Sequence, residues 1–237
     1  MKRFDPPACN VTIMQVMEIA ESLERRGDPP AFRECVIRDH NPVSGSLKNR
    51  VIYAPNEAMK RIHKAMVAYL RSGTNPDMRA QFLERATCVP GSSHRDNVLL
   101  HSRHRFFYLL DIKNAFPSVS AERLADVLMD LDREIRRGVV PRRLVLSFLK
   151  AYFIAPTGGL YVGGNAANEL YNLYAGALID QRNSIFESDG VLYTRYVDDL
   201  TWSSDRPITD PDRRKLRQGI ESAGFAINHA KAKVLDI

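Results

Sequence analysis

The apolar positions of this chain change period several times, and each change marks an element. Over residues 10–26 they fall at helical spacing. Ile13, Met17, Ile19 and Leu23 supply most of one stripe, Asn10 stands at the N-cap position, and Gly27-Asp28-Pro29-Pro30 ends the run. Residues 31–49 show no clean period, with a turn or loop expected over 41–46, and residues 50–53 read as a short strand. Pro55-Asn56 opens a helix in which Met59, Ile62, Met66, Tyr69 and Leu70 share a face and Gly73 is the stop. Residues 74–105 are polar and weakly patterned, apart from Asn97-Val98-Leu99-Leu100-His101, read as a helix whose Asn and His make internal hydrogen bonds.

An apolar strand pattern then runs through residues 105–112. Ser120 caps a helix with Leu124, Leu128, Leu131 and Ile135 inside and Gly138 as its stop. Pro141 opens another at its first position, with Leu144, Phe148 and Leu149 inside. Residues 158–164, rich in glycine, read as a flexible connector into a long helix over 165–186. Residues 192–203 alternate as strand, tight turn, strand. A basic helix starts at Thr209 or Asp210 and runs to Ala223 with Arg213, Arg214, Lys215 and Arg217 outward, and strands follow near 225–227 and 233–237. Helices, strand, helices, hairpin, helix, strand is the order of an α+β layer, with helices on one face of a mostly antiparallel sheet.

The chemistry sits on two of these strands. In the hairpin, Asp198-Asp199 places two adjacent carboxylates between apolar strands, where they repel each other and neighbours desolvate them. That is costly unless cations neutralise them, and paired hard oxygen ligands suit Mg²⁺. The strand over 105–112 brings a third carboxylate, Asp111. If the two strands are neighbours, the three converge at one sheet edge, where two Mg²⁺ ions about 4 Å apart activate an attacking and a leaving oxygen.

Composition narrows the class without deciding it. The chain has 237 residues, 44% hydrophobic and 26% charged, which suits a folded protein with one large core or two small lobes. The net charge of +6 permits nucleic-acid binding without establishing it. Cys9, Cys35 and Cys88 are far apart and read as reduced thiols of a cytoplasmic protein. The N-terminus has no apolar secretory segment, and no apolar run is long enough to cross a bilayer, so no membrane partner is expected. His94, His101, His104 and Cys88 fit no standard zinc spacing.

Tyr196-Val197-Asp198-Asp199 matches the Tyr-x-Asp-Asp box of reverse transcriptases, and Asp111 with Phe116 five residues on matches their Asp-x-x-x-x-Phe/Tyr segment. Over residues 50–233 the chain resembles the bacterial retron and group II intron type. The resemblance implies a right-hand polymerase palm plus mainly helical fingers. Residues 1–105 and 138–164 would be fingers, and 106–137 and 165–237 palm. It implies that Asp111 and Asp198 bridge two Mg²⁺ ions (Mn²⁺ able to substitute), with Asp199 more peripheral and the Ile112 carbonyl also a ligand. Phe116 would sit under the ribose 2′ position and favour deoxynucleotides. Tyr196 would face nucleic acid. Apart from the resemblance, Arg142 and Arg143 belong to a basic cluster with Arg133, Arg136 and Arg137 that reads as a contact to template phosphates or equally as a solvated helix end.

Three further segments resemble the family with departures. Lys48 and Arg50 occupy a finger segment whose arginine touches the incoming triphosphate, a task for which the guanidinium fork is suited. Residues 160–172 stand where relatives carry Leu-Pro-Gln-Gly-x-x-x-Ser-Pro-x-x-x-Asn. Leu160, Gly163 and Asn172 match, but Tyr161 replaces Pro and Val162 replaces Gln, a change that suggests a divergent branch such as defence-associated enzymes. At Gly163 the backbone would approach the base pair closely; a plain hinge is the other reading. Residues 224–231 resemble the Gly-Phe-x-hydrophobic-Asn-x-x-Lys element, in which Lys231 would neutralise or protonate leaving pyrophosphate, with Lys233 as the fallback.

The expectation is an RNA-directed DNA polymerase that adds dNTPs to a DNA or RNA primer on an RNA template, in a retron or phage-defence setting. Relatives continue past the Lys231 element into a helical thumb, and this chain ends at Ile237. The thumb is therefore expected to be absent. A second polypeptide or a cognate non-coding RNA would supply its grip, or processivity would be weak, or the chain has been shortened. Two alternatives stay open: an RNA-templated RNA polymerase, which Phe116 argues against, and a reverse-transcriptase-like binding or scaffold subunit, which the altered 160–172 segment motivates.

Overall fold

The computed structural model describes residues 11–40, 47–71, 93–132, 138–181 and 190–237. Asn10, the 41–46 loop, Gly73, Cys9, Cys88, Arg133, Ile135, Arg136, Arg137 and the end of the helix expected to reach residue 186 lie outside them. The chain divides into two compact units.

The first unit is built on β3 (Phe106–Lys113), together with α3 (His94–His101) and the chain from Leu170 to Ile237. β3 pairs antiparallel along one edge with β5 (Asp199–Ser204), which pairs in turn with β4 (Leu192–Tyr196). Along its other edge β3 meets β6 (Ala226–Ile227) at Ile112 and Lys113, and β7 (Lys233–Asp236) over Phe106 to Leu109. Between β6 and β7 the short helical turn His229–Lys231 interrupts the ladder beside Asp111.

Cross-strand packing explains why this sheet holds its register. Tyr108, Trp202 and Tyr193 are directly opposed on three strands. Their rings form a buried ladder with centroids 5.7 and 5.1 Å apart, and such pairs add stability beyond area burial. Slipping one residue would turn every member of that ladder to the opposite face. α7 (Asp210–Ser222) is capped by Thr209 in a reciprocal box with Asp212 and buries Leu216 and Ile220. Of its basic residues, Arg213 and Arg217 are half-buried rather than outward: Arg217 donates to the Tyr108 hydroxyl at 2.9 Å, and Arg213 to the Ile208 carbonyl.

The second unit holds α1 (Ile13–Arg25), β1 (Phe32–His40), β2 (Leu47–Pro55), α2 (Glu57–Arg71), α4 (Ala121–Leu131) and α5 (Arg142–Tyr152). Thr12, not Asn10, caps α1, in a capping box with Gln15. The buried stripe is Ile13, Val16, Ala20 and Leu23, while Met17 is half-buried and Ile19 exposed. The unpatterned stretch after Pro30 is β1, antiparallel to β2 from Phe32↔Pro55 to His40↔Leu47. A two-stranded ribbon exposed on both faces needs no alternation, which is why its period was silent. In α5, Phe148 and Leu149 are inside as expected, but the third inward position is Val145, three and four residues before them on the same face, and Leu144 is exposed; Pro141 is the cap rather than the first helical residue.

The helix expected over 165–186 is α6 (Ala167–Ala175), followed by one turn wound with i→i+5 hydrogen bonds over Gly176–Asp180. The glycine-rich connector before it is folded. Ile154 bridges Leu160, and the Tyr53 N–H donates to the Val162 carbonyl at 2.8 Å. Among the described residues no helix is long and apolar enough to cross a membrane.

Candidate active site

The site grows from the end of β3. Asp111 and Asp199 are register partners across the β3–β5 pair. The Ile112 N–H donates to the Asp198 carbonyl at 2.9 Å, so the turn between β4 and β5 is pinned to the strand that carries Asp111. Val197, at the head of that turn, has φ 56°, a left-handed conformation that β-branched residues rarely adopt. From the other edge, the Asn228 N–H donates to the Asp111 carbonyl at 2.8 Å and its side-chain amide to Asp111 Oδ2 at 3.1 Å. The Lys231 ammonium is hydrogen-bonded to Asp111 Oδ1.

The electrostatics follow from that crowding. Desolvation, then the charges of Asp198 and Asp111, push the Asp199 carboxyl above its ordinary range, although its side chain keeps solvent contact. The hydrogen bond to Asp111 raises the Lys231 ammonium. Among the described residues, no three His, Cys, Asp or Glu side chains are gathered closely enough to form a ready-made metal centre. What the structure brings together is Asp111 with Asp199 as a register pair and the Asp198 turn tethered to the same strand, with the Lys231 ammonium at Asp111. The donor chemistry, three carboxylates at adjoining strand ends, fits hard divalent cations.

Phe116 lies just past β3, half-buried, with its ring 5.2 Å from that of Tyr171. The Tyr171 hydroxyl is buried without a hydrogen-bond partner. Tyr196 is stacked on His94 at 3.6 Å. The Asn97 and His101 reading stands: His101 contacts the hydroxyls of Ser203 at 2.6 Å and Thr194 at 2.7 Å, and Thr194 donates to Asn97 Oδ1 at 2.6 Å. This network ties α3 to β4 and β5.

The remaining expected residues belong to the second unit. Lys48 and Arg50 are on β2, where Arg50 pairs with Asp39 at 2.8 Å, an exposed contact. Arg142 is engaged by Asp126 at 2.6 Å, and Arg143 is exposed. Gly163 has φ +98°, and a Cβ there would stand 3.1 Å from the Tyr53 carbonyl. Its close approach is to the backbone of β2.

Sequence reasoning missed a buried polar cluster behind the turn. Arg195 and Asp180 are fully buried and paired at 2.9 Å, with Asn172 and Tyr193 as further partners. The signal was available: an arginine between Thr194 and Tyr196, in a strand buried on both faces, needs an acid.

Residues 38–236 match the family described as reverse transcriptase (RNA-dependent DNA polymerase), and the chain belongs to that family. It is 27% identical over 202 residues to the retron Mx65 reverse transcriptase of Myxococcus xanthus, covering 78% of this chain and 44% of that one. It is 25% identical over 199 residues to the retron Se72 reverse transcriptase of Salmonella heidelberg, covering 78% and 48%. The chain thus spans about half the length of the curated relatives it matches.

Among solved structures, apo telomerase from Candida tropicalis, truncated from its C-terminal domain, superposes with a TM-score of 0.52 at 10% identity, covering 92% of this chain and 54% of that one. Telomerase from Candida albicans, in complex with a fragment of telomeric RNA, gives 0.52 at 15% identity, covering 87% and 43%. These likenesses establish the α+β fold of a reverse-transcriptase palm and fingers.

Proposed function

We propose that this chain catalyses RNA-directed DNA synthesis, joining a primer 3′-hydroxyl to the α-phosphate of a dNTP on an RNA template, with pyrophosphate leaving. The observation that carries the reading is the register pair Asp111 and Asp199 with Asp198 in the turn pinned to Ile112. Asp111, Asp198, Asp199 and the Ile112 carbonyl would hold two Mg²⁺ ions, with Mn²⁺ as a substitute. When bound, such ions polarise the phosphoryl oxygens and lower the pKa of the attacking hydroxyl. The protein's own part is positioning. Phe116 limits room at the sugar 2′ position, Tyr196 supports the primer end, and Lys231 leaves Asp111 to meet the pyrophosphate charge.

In the second unit, Lys48 and Arg50 serve the triphosphate, Gly163 the nucleotide side of the connector, and Arg142 and Arg143 nucleic-acid phosphates. The palm over 106–137 and 165–237, and the fingers over 1–105 and 138–164, belong to the same proposal. So do a cytoplasmic retron or phage-defence setting, a cognate non-coding RNA, and a second polypeptide that supplies a thumb's grip. The Lys231–Asp111 ion pair also favours a second reading, since a scaffold without metals would keep such an internal counter-ion. Primer extension on poly-rA/oligo-dT with Mg²⁺ or Mn²⁺, offering each dNTP and rNTP singly, separates them. dTTP incorporation supports the polymerase. No incorporation by protein shown to bind the primer-template supports the scaffold, and preference for rNTPs would make it an RNA polymerase.

A further inference from the structure

The buried cluster behind the Asp198-Asp199 turn has not been given a role. Arg195 is 0% exposed and Asp180 1%. Burying a guanidinium is costly unless its donors are all met, and even a well-made buried pair adds little net stability. Here the fork is met in a directed way. Nε donates to Asp180 Oδ1 at 3.0 Å and Nη2 to Asp180 Oδ2 at 2.9 Å. Nη1 is shared between Asn172 Oδ1 at 2.9 Å and the Val197 carbonyl at 3.2 Å. Tyr193 completes Asp180 with a hydroxyl donated at 2.7 Å. The wide turn Gly176–Asp180 that follows α6 carries Asp180 as its last residue and so sets where that carboxylate meets the fork.

The Val197 contact gives the cluster a purpose beyond joining α6 to β4. A valine at φ 56° persists only where its surroundings over-determine it. Two consecutive carbonyls are gripped from opposite sides, Val197 by Arg195 and Asp198 by the Ile112 N–H. Release of the first grip would let Val197 relax to negative φ and re-aim the Asp198 carboxylate. The same guanidinium lies 5.5 Å from the Tyr171 ring, which backs Phe116.

We infer that Arg195, oriented by Asp180 and Asn172, is a positioning residue that locks the strained Val197 turn so that Asp198 is aimed for divalent-cation binding. The inference rests on the metal-holding reading of Asp198 given above.

The test is Mn²⁺ binding to the whole chain, followed by electron paramagnetic resonance, with thermal melting alongside. In the double variant Asp180→Leu/Arg195→Met both charges go at similar volume, which often leaves stability intact. Arg195→Lys keeps the charge against Asp180 but loses the forked reach to Val197. Each folded variant is expected to bind Mn²⁺ about tenfold more weakly, as when an outer partner of a metal ligand is lost. Melting in Arg195→Lys should stay close to that of the unsubstituted protein, so the loss is not one of folding. Unchanged Mn²⁺ affinity in a folded variant, beside loss of binding in Asp198→Asn, would overturn the clamp alone. Unchanged affinity in Asp198→Asn would overturn the metal reading itself, and the clamp with it.

Discussion

At the residue scale the proposed choice of sugar rests on Phe116, whose half-buried ring lies 5.2 Å from that of the wholly buried Tyr171. Phe116→Ala should raise ribonucleotide incorporation by about tenfold or more relative to deoxynucleotide, the scale of a steric pocket contact. Steady-state kcat/KM for dTTP and UTP checks this, and an unchanged ratio would remove Phe116 from the sugar-selecting role. At this scale the sequence was most readable, because charge is expensive wherever it is buried. Three aspartates in apolar strands announced themselves. Arg195 carried the same signal but needed a partner, and Asp180 lies 15 residues back, at the end of a turn whose winding no periodicity reveals.

At the scale of elements, two contacts of the second unit govern stability. The His63 ring receives the Ala166 N–H at Nδ1 (3.2 Å), so Nε2 carries the proton and donates to the Tyr152 carbonyl at 2.9 Å. Burial pushes His63 down from 6.5 to about 4. The unfolded chain therefore takes up a proton below pH 6.5 that the fold refuses until about pH 4. Stability from this group is fully present above pH 6.5, is lost as pH falls through that window, and should cost roughly 3 kcal/mol by its end. Urea unfolding between pH 7 and pH 4 tests it: His63→Gln, with no titrating ring, should lose less on acidification than the unsubstituted chain, and an equal loss would contradict the assignment.

Gly163→Ala should cost roughly 1–3 kcal/mol from its positive φ and the crowding at Tyr53. An unchanged urea midpoint would show that the connector can shift. Element boundaries were legible where a cap or an amphipathic stripe existed, as in α2 and α7; α4 begins after its Ser120 cap but ends at Leu131, short of the stop expected at Gly138. They were not legible in β1, which has no buried face to impose a period, or in the 158–164 connector. Glycine there reads as freedom, but in the fold it permits a close backbone approach.

For the whole molecule, the sequence pattern anticipated an α+β chain with a mostly antiparallel sheet, and the sheet on β3 has that form. The pattern placed strands near 225–227 and 233–237 but did not show that both would flank β3 on one edge, because a strand's period does not name its partner. That edge matters, since it delivers Asn228 and Lys231 to Asp111. Family membership, the fold and the register of Asp111 with Asp199 support the proposal made above, that these acids, with Asp198, carry templated DNA synthesis. The most direct measurement is single-nucleotide extension of oligo-dT on poly-rA with dTTP and Mg²⁺, comparing the unsubstituted chain with Asp198→Asn at matched circular dichroism and melting temperature. The account predicts a loss of at least about 10²-fold in the rate of addition, the scale on which removal of a transition-state charge partner is felt. Extension by folded Asp198→Asn at a rate within a few-fold of the unsubstituted chain would contradict it.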